Sequence, residues 1–330
     1  MLRNETSNDV VRLRKALAGL KSYQTASRPP RPPAPPVIGR IGRVSLRSYG
    51  GQGRPVLFVP SLINGSEILD LTAENSMMRG LAACGLNPVL LDWGCPETSE
   101  QDLDVGGHVE HYVIPALDII GRDAALAGYC LGGTMSIAAA ALRPPKALVL
   151  IAAPWDFRGF PSQTRNDLQQ LWNAAEPVAR AFGLLPAEIL QQIFWQIDPS
   201  RTVAKFENFA GKDPSSPEGQ NYVAVEDWAN DGPPMPLAAG RELMEELMVG
   251  NASGRGVWQV GGRIVDPAAL DMPVLNIIST TDRITPAESA WAGGERIALA
   301  EGHVGMIVGR KAPASLWRRL GTWLSQLQKS

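Results

Sequence analysis

The chain is poor in cysteine and histidine and has no long apolar run, and each shortage removes a class of function. Only Cys84, Cys95 and Cys130 occur in 330 residues. An odd number at irregular spacing makes no disulfide framework, so a reducing cytoplasm is the expected compartment. No uninterrupted apolar stretch reaches the roughly 18 to 20 residues that span a bilayer. The start, MLRNETSNDVVRLRK, carries charges throughout and lacks the apolar centre of a signal peptide. No charge sign dominates: 31 Lys and Arg stand against 33 Asp and Glu, a formal net charge of -2. That balance gives no reason to expect nucleic acid or an anionic membrane surface as a partner. No glycine-rich loop opens a helix as a phosphate loop would, and residues 250–256 read as a plain loop.

What remains is a composition able to bury a large core, with 45% apolar and 19% charged residues. In residues 1–25, Val10, Leu13, Leu17 and Leu20 recur at helical spacing. This predicts a helix packed on its own domain, or else one that docks a partner or an apolar surface. Residues 28–36, RPPRPPAPP, form an extended proline-rich linker, so residues 1–40 are set apart as helix and linker. Strands are then expected at 44–49, 55–60, 88–93, 124–129, 147–152, 273–279 and 295–300. Helical patterns at 75–84, 104–120, 131–142 and 312–327 are interleaved with them. Near-continuous apolar strands alternating with helices predict an α/β fold with a mostly parallel, doubly wound sheet. Residues 154–256 break that rhythm. Helical patterns at 168–182, 188–197 and 237–249 appear there with no convincing strand pair, among Trp155, Trp172, Phe194, Trp195, Phe206, Phe209 and Trp228. An insertion between late strands of a parallel sheet lies over their C-terminal ends, where ligands bind. It is expected to be a helical cap whose aromatics are mostly its own core, a few facing a substrate channel. The core domain would then be residues 41–153 and 257–330.

The chemistry centres on Gly128-Tyr129-Cys130-Leu131-Gly132, which follows an apolar strand and opens a small-residue helix. This is the layout of a nucleophile elbow with Cys in place of Ser. Flanking glycines suit a strained turn against which helix and strand pack closely. The helix N-terminus favours thiolate and oxyanion. The plain alternative is an inert thiol in a strand–helix turn.

A thiol nucleophile needs a base, and there are three histidines. His108 and His111 lie three apart on the expected helix 104–120. They could serve a metal, but no third ligand is evident, so both are expected on the surface. His303 follows the last expected strand, where the base of this arrangement sits. Asp282 follows the strand before it, giving the order Cys, Asp, His. Asp266 and Asp271 precede that strand and would lie at the wrong end of the sheet. The oxyanion hole is expected from backbone N–H groups, one of Leu131 and one from Ser61-Leu62-Ile63, with Leu62 and Ile63 as candidates.

With these residues in place, the sequence resembles the polyhydroxyalkanoate synthases of the α/β-hydrolase superfamily across about residues 40–325. Val59-Pro-Ser-Leu-Ile-Asn64-Gly-Ser-Glu-Ile-Leu-Asp70-Leu is similar to that family's P-x-x-I-N-x-x-x-I-L-D-L stretch, followed by Asn75-Ser76 and Gly85. Asp92-Trp93-Gly94-Cys95-Pro96 is similar to its S-W-x-N-P turn, and Gly128-Tyr-Cys-Leu-Gly-Gly to its lipase-like box. Asp282-Arg-Ile-Thr-Pro286 resembles D-H-I-x-P, and Gly302-His303-Val-Gly resembles G-H-I-x-G. Arg283, Cys95 and Ala287 depart from the pattern and bear on which acceptor is used.

The resemblance implies acyl transfer from a 3-hydroxyacyl-CoA through an acyl-Cys130 intermediate to the hydroxyl end of a polyester chain. Asp282 would orient His303 or help deprotonate that hydroxyl. No dedicated cofactor is implied, since CoA enters as part of the substrate. The short two-subunit class is the nearest match, which implies a second synthase subunit or a homodimer as partner, at the surface of storage granules. Two other readings use the same residues: hydrolysis of a polyester or thioester, and a non-catalytic granule-binding relative.

Overall fold

The computed structural model describes residues 5–327 apart from 7, 29 and 198. Eight strands form one sheet: β1 (Val37–Ile41), β2 (Val44–Ser48), β3 (Pro55–Val59), β4 (Asn87–Asp92), β5 (Ala125–Tyr129), β6 (Leu148–Ile151), β7 (Val274–Ser279) and β8 (Glu295–Leu299). Their spatial order is β1-β2-β4-β3-β5-β6-β7-β8. β2 pairs antiparallel with both β1 and β4, and every other neighbouring pair is parallel. The seven expected strand stretches carry β2 to β8. β1 is an addition: it lies largely inside the range expected as linker, because its apolar residues directly follow the prolines.

Alternation along the central strands divides the core between the two faces. Leu57, Val59 and Leu126 pack on one side, with Val109 and Val113 of α3 (residues 105–120) and Met135 of α4 (Leu131–Leu142). Val56, Phe58, Ala125 and Ala127 pack on the other, with Met77 and Leu81 of α2 (Met77–Ala83) and Leu316 and Leu320 near the C-terminus. Successive side chains of a strand point to opposite faces, so such strands read as continuous apolar runs. α3 is α-helical over Val105–His108, π-helical over Val109–Val113 and α-helical again over Ile114–Ile120.

Between β6 and β7 the chain leaves the sheet for α5 (Ser162–Phe182), α6 (Ala187–Ile197), α7 (Pro199–Phe209), α8 (Pro217–Asn230) and α9 (residues 237–249). α7 and α8 were not expected from the sequence. Nor was the two-residue pairing of Leu184–Leu185 with Met235–Pro236, which is too short to leave a periodic signal. The N-terminal helix α1 (Val10–Thr25) packs on α7 through Ala16, Val203 and Phe206. A Cβ on Gly19 would lie 1.8 Å from the Phe206 carbonyl oxygen, so glycine is what permits the close crossing. Arg12 closes that contact with two bonds to Glu207, at 2.8 and 3.0 Å. The proline-rich segment is tied down at its start by Arg28 to Asp227, in its middle by Arg79 Nη2 donating to the Pro33 carbonyl at 2.8 Å, and at its end by Ser48 N–H donating to the Pro36 carbonyl at 2.9 Å. Among the described residues no helix is long and apolar enough to cross a membrane.

Candidate active site

Cys130 sits between β5 and α4 with φ 57° and ψ −129°, a left-handed region that costs a residue bearing a Cβ. The surroundings enforce it. The Cys130 N–H donates to the Ile151 carbonyl at 2.9 Å. A Cβ on Gly128 would lie 2.4 Å from the Gly132 carbonyl oxygen and the Ser136 hydroxyl, and one on Gly132 would lie 2.2 Å from the Val59 carbonyl oxygen. The helix therefore enters against β3 and β5 at backbone contact distance, and the turn stays sharp.

The loops after β7 and β8 meet above this turn. Thr280 N–H donates to the Leu299 carbonyl at 2.9 Å, and the Thr281 hydroxyl to the Ala300 carbonyl at 2.7 Å. This brings Asp282 to His303, whose Nδ1 donates to Asp282 Oδ2 at 2.6 Å. Asp282 Oδ1 is fixed in turn by the N–H groups of Ile284 and Thr285, at 2.8 and 2.9 Å. His303 and the Leu131 N–H lie close enough to the Cys130 sulfur to favour its charged form. Cys130, His303 and Asp282 thus meet as one buried group, the last two joined by a hydrogen bond.

Burial alone would push the Cys130 thiol up, but the His303 charge, with the Leu131 N–H, outweighs it and the thiol lies below its usual value. Burial works against a charged imidazole at His303; Asp282 and the Cys130 sulfur outweigh it and raise the ring to about 10. Both shifts point to a thiolate–imidazolium pair, the reactive form of cysteine.

The other expected site groups divide. The Ile63 N–H is taken by the Ser61 hydroxyl at 3.2 Å, while Leu62 is buried beside it. Asp266 caps its own turn by accepting from Ala268 N–H at 2.9 Å, and Asp271 is exposed. His111 is exposed as expected. His108 is not: it is fully buried, donates from Nδ1 to the Asp104 carbonyl at 2.6 Å and accepts at Nε2 from Arg43 at 2.9 Å. Helical spacing could not foresee Arg43, which arrives from the turn before β2. Burial holds the His108 ring neutral, at about 4. Among the described residues no group of three or more His, Cys, Asp and Glu could hold a metal.

Three residues at or near the site were not anticipated in these roles. The Tyr129 ring stacks on His303 with centroids 4.9 Å apart, and its hydroxyl donates to the His303 carbonyl at 3.2 Å. Trp93 Nε1 donates to the Pro60 carbonyl at 3.2 Å, which steadies the loop after β3. Asn75 Nδ2 donates to Asn221 Oδ1 at 2.5 Å and to the Val308 carbonyl at 2.7 Å, joining α8 to the core. The motif context around Trp93 and Asn75 was a readable signal; for the Tyr129 stack there was none.

A cavity of about 430 Å³ opens over the sulfur. Cys130, His303 and Tyr129 line it from the core, with Ser61 and Asn64 from the loop after β3. Trp195, Tyr222 and Trp228 line it from the inserted helices. Trp155, Trp172, Phe206 and Phe209 are buried instead, and the Phe194 side chain lies outside the described residues.

The match to known proteins agrees with this geometry. The alpha/beta hydrolase family model matches residues 56–311. The chain belongs to that family. A thermophilic esterase from Thermogutta terrifontis shares the fold, with a TM-score of 0.55 at 14% identity over 88% of this chain and 97% of its own. Among curated proteins, the poly(3-hydroxyalkanoate) polymerase subunit PhaC of Haloarcula marismortui is 30% identical over 288 residues, 82% of this chain and 61% of the relative. The Thiocystis violacea subunit of the same name is 26% identical over 294 residues, 83% of this chain and 81% of the relative. The chain therefore spans less than two thirds of the Haloarcula relative and about four fifths of the Thiocystis one.

Proposed function

We propose that this member of the alpha/beta hydrolase family is an acyltransferase that builds polyester from 3-hydroxyacyl-CoA. The observation that carries the reading is Cys130 beside the buried, hydrogen-bonded His303–Asp282 pair on the floor of a cavity walled by inserted helices. The similarity to poly(3-hydroxyalkanoate) polymerases supports it. In the first half-reaction the Cys130 sulfur attacks the thioester carbonyl. The S–C bond to CoA breaks, and His303 returns its proton to the departing CoA thiolate. One thioester replaces another, so the step is nearly isoenergetic, which is a reason to use sulfur. In the second, His303 takes the proton of a 3-hydroxyl group whose oxygen attacks the acyl-Cys130 carbonyl, an ester forms and the thiol is released.

Backbone N–H groups of Leu131 and Leu62 would hold the oxyanion in both steps. Leu62 is preferred to Ile63 because the Ile63 N–H is already engaged. Asp282 orients His303 and favours its charged form. Its side chain is 0% exposed and its oxygens are engaged by Ile284, Thr285 and His303, which supports this role over direct contact with an acceptor hydroxyl. In this reading residues 154–256 act as a cap that keeps water from the acyl-enzyme. CoA enters only as part of the substrate. The same reading extends to work beside a second synthase subunit, or a second copy of the chain, at the surface of cytoplasmic polyester granules.

Incubation with 3-hydroxybutyryl-CoA is the test. Polymer together with free CoA is the expected result; free 3-hydroxybutyrate with CoA, and no polymer, would overturn it in favour of hydrolysis.

A further inference from the structure

One polar side chain in the Cys130 cavity has nothing in the fold to bond to. Asn64, in the loop between β3 and α2, is only 9% exposed and lines the cavity beside Pro60, Ile68 and Trp228. Its amide makes no hydrogen bond among the described residues, and its oxygen and nitrogen are not sealed into the packing as the Tyr222 hydroxyl is. The neighbouring polar groups on this wall are engaged. The Ser61 hydroxyl accepts from Ile63 N–H at 3.2 Å, and Trp228 Nε1 donates to the Gly65 carbonyl at 2.7 Å. Asn221 Oδ1 accepts from Asn75 Nδ2 at 2.5 Å.

An amide taken out of water without new hydrogen bonds costs stability. Leucine has a similar shape and would fill the position without that cost. Buried polar side chains in folded proteins are otherwise nearly always paired. A local cost kept on the wall of a binding cavity marks a functional position. Otherwise apolar pockets fix a ligand's orientation with a few polar groups of this kind. The side-chain amide presents a donor and an acceptor in one plane. A secondary amide offers the complementary pair, a carbonyl for Nδ2 and an N–H for Oδ1. The pantetheine arm of an acyl-CoA carries two such amides in succession, the first separated from the thioester sulfur by two methylene groups. The placement agrees: Asn64 stands two residues, at most about 7 Å of backbone, beyond Leu62, whose N–H would hold the thioester oxygen.

We propose that Asn64 is a binding residue for the pantetheine arm, by which the cavity selects acyl groups carried on an amide-bearing thiol over simple alkyl thioesters. Nδ2 donates to an amide carbonyl of the arm, or Oδ1 accepts from its N–H. The inference rests on the function proposed above, and it assigns that function a recognition element in the loop after β3.

The experiment compares kcat/KM for thiol release from two 3-hydroxybutyryl thioesters in the full chain and in two variants. One probe is the N-acetylcysteamine thioester, which keeps the first amide of the arm. The other is the S-pentyl thioester, which matches its length and has no amide. The unmodified protein is expected to prefer the first. Asn64→Leu is expected to lower that preference about 10-fold or more, the effect of a hydrogen bond lost from a desolvated site. Asn64→Ala, which adds no bulk, should lower it as well. Because the Asn64 amide has no partner in the fold, Asn64→Leu is also expected not to lower Tm, which separates recognition from a structural role. A preference that neither variant moves, with turnover intact, overturns this inference and leaves the proposed function standing. So does a parallel fall for both probes, or a loss of preference only between 3-hydroxybutyryl and butyryl N-acetylcysteamine thioesters, which would assign the amide to the acyl group. A protein that releases thiol from neither probe, releases no CoA from 3-hydroxybutyryl-CoA and forms no adduct on Cys130 overturns both.

Discussion

Replacing Asp282 with asparagine is the most informative single change, because the two carboxylate oxygens have different fixed partners. Oδ1 accepts from the N–H groups of Ile284 and Thr285. Both partners are donors, so the Asn oxygen must stay there and its NH2 group must face His303. Nδ1 of His303 then has to accept, its proton moves to the nitrogen on the Cys130 side, and the ring can no longer take the thiol's proton. The substitution also removes the negative charge that helps raise His303 from 6.5 to about 10. That rise corresponds to about 5 kcal/mol in all, at about 1.4 kcal/mol per pH unit. Asp282 is the largest of the contributions that raise the ring, so its loss weakens the imidazolium as well. The wrong tautomer in a comparable serine triad costs roughly 10⁴-fold. Asp282→Asn should therefore slow CoA release from 3-hydroxybutyryl-CoA by up to about 10⁴-fold, read with a thiol dye in a stopped assay. It should also move the pH midpoint of iodoacetamide alkylation at Cys130 upward, because the imidazolium that lowers the thiol is weakened. A folded variant within threefold of the unmodified rate, with an unmoved alkylation midpoint, would refute this account of the pair.

Other consequences concern folding. Gly132→Ala places a methyl group 2.2 Å from the Val59 carbonyl and 2.5 Å from that of Pro60; neither can yield easily, so urea denaturation should show a loss of about 3 kcal/mol. His108 is held at about 4 in the fold against 6.5 unfolded. The unfolded chain thus binds the extra proton, and this group's contribution is lost as pH falls from 6.5 to 4, by up to about 3 kcal/mol. His108→Gln should remove that acid loss from the stability–pH profile. Glu242 accepts from the N–H groups of Val105 and Gly106 and from Trp258 Nε1, and burial, only partly offset by those bonds, raises it to about 7. Here the fold holds the extra proton, so stability falls as pH rises from 4.5 to 7, again by up to about 3 kcal/mol, and Glu242→Gln should remove that slope. The two groups oppose each other between pH 4.5 and 6.5, so the two variants should tilt the profile in opposite directions.

The parallel core was readable because its strands are apolar on both faces, as with Pro55–Val59 and Val274–Ser279. The elbow, Asp282 and His303 were readable because their order along the chain maps onto strand ends that the sheet brings together. β1 was hidden by the prolines before it. α7 presents little more than Val203, Phe206 and Phe209 to the interior, and α8 buries Val223 beside the charged Glu226. α7 does carry an apolar stripe at helical spacing, which was a readable signal, whereas α8 has none, although Ser216 followed by Pro217 was a usable start signal for it. His108 was misplaced because its burial depends on Arg43, 65 residues away. The engagement of Ile63 N–H by Ser61 is a matter of local loop geometry that no spacing argument reaches.

The central claim is that Cys130 carries the acyl group, and mass spectrometry of the protein after brief exposure to 3-hydroxybutyryl-CoA tests it most directly. The account predicts a hydroxylamine-labile acyl mass on the peptide containing Cys130, absent from Cys130→Ala. CoA release without any adduct on Cys130, or an adduct that persists in Cys130→Ala, would contradict it.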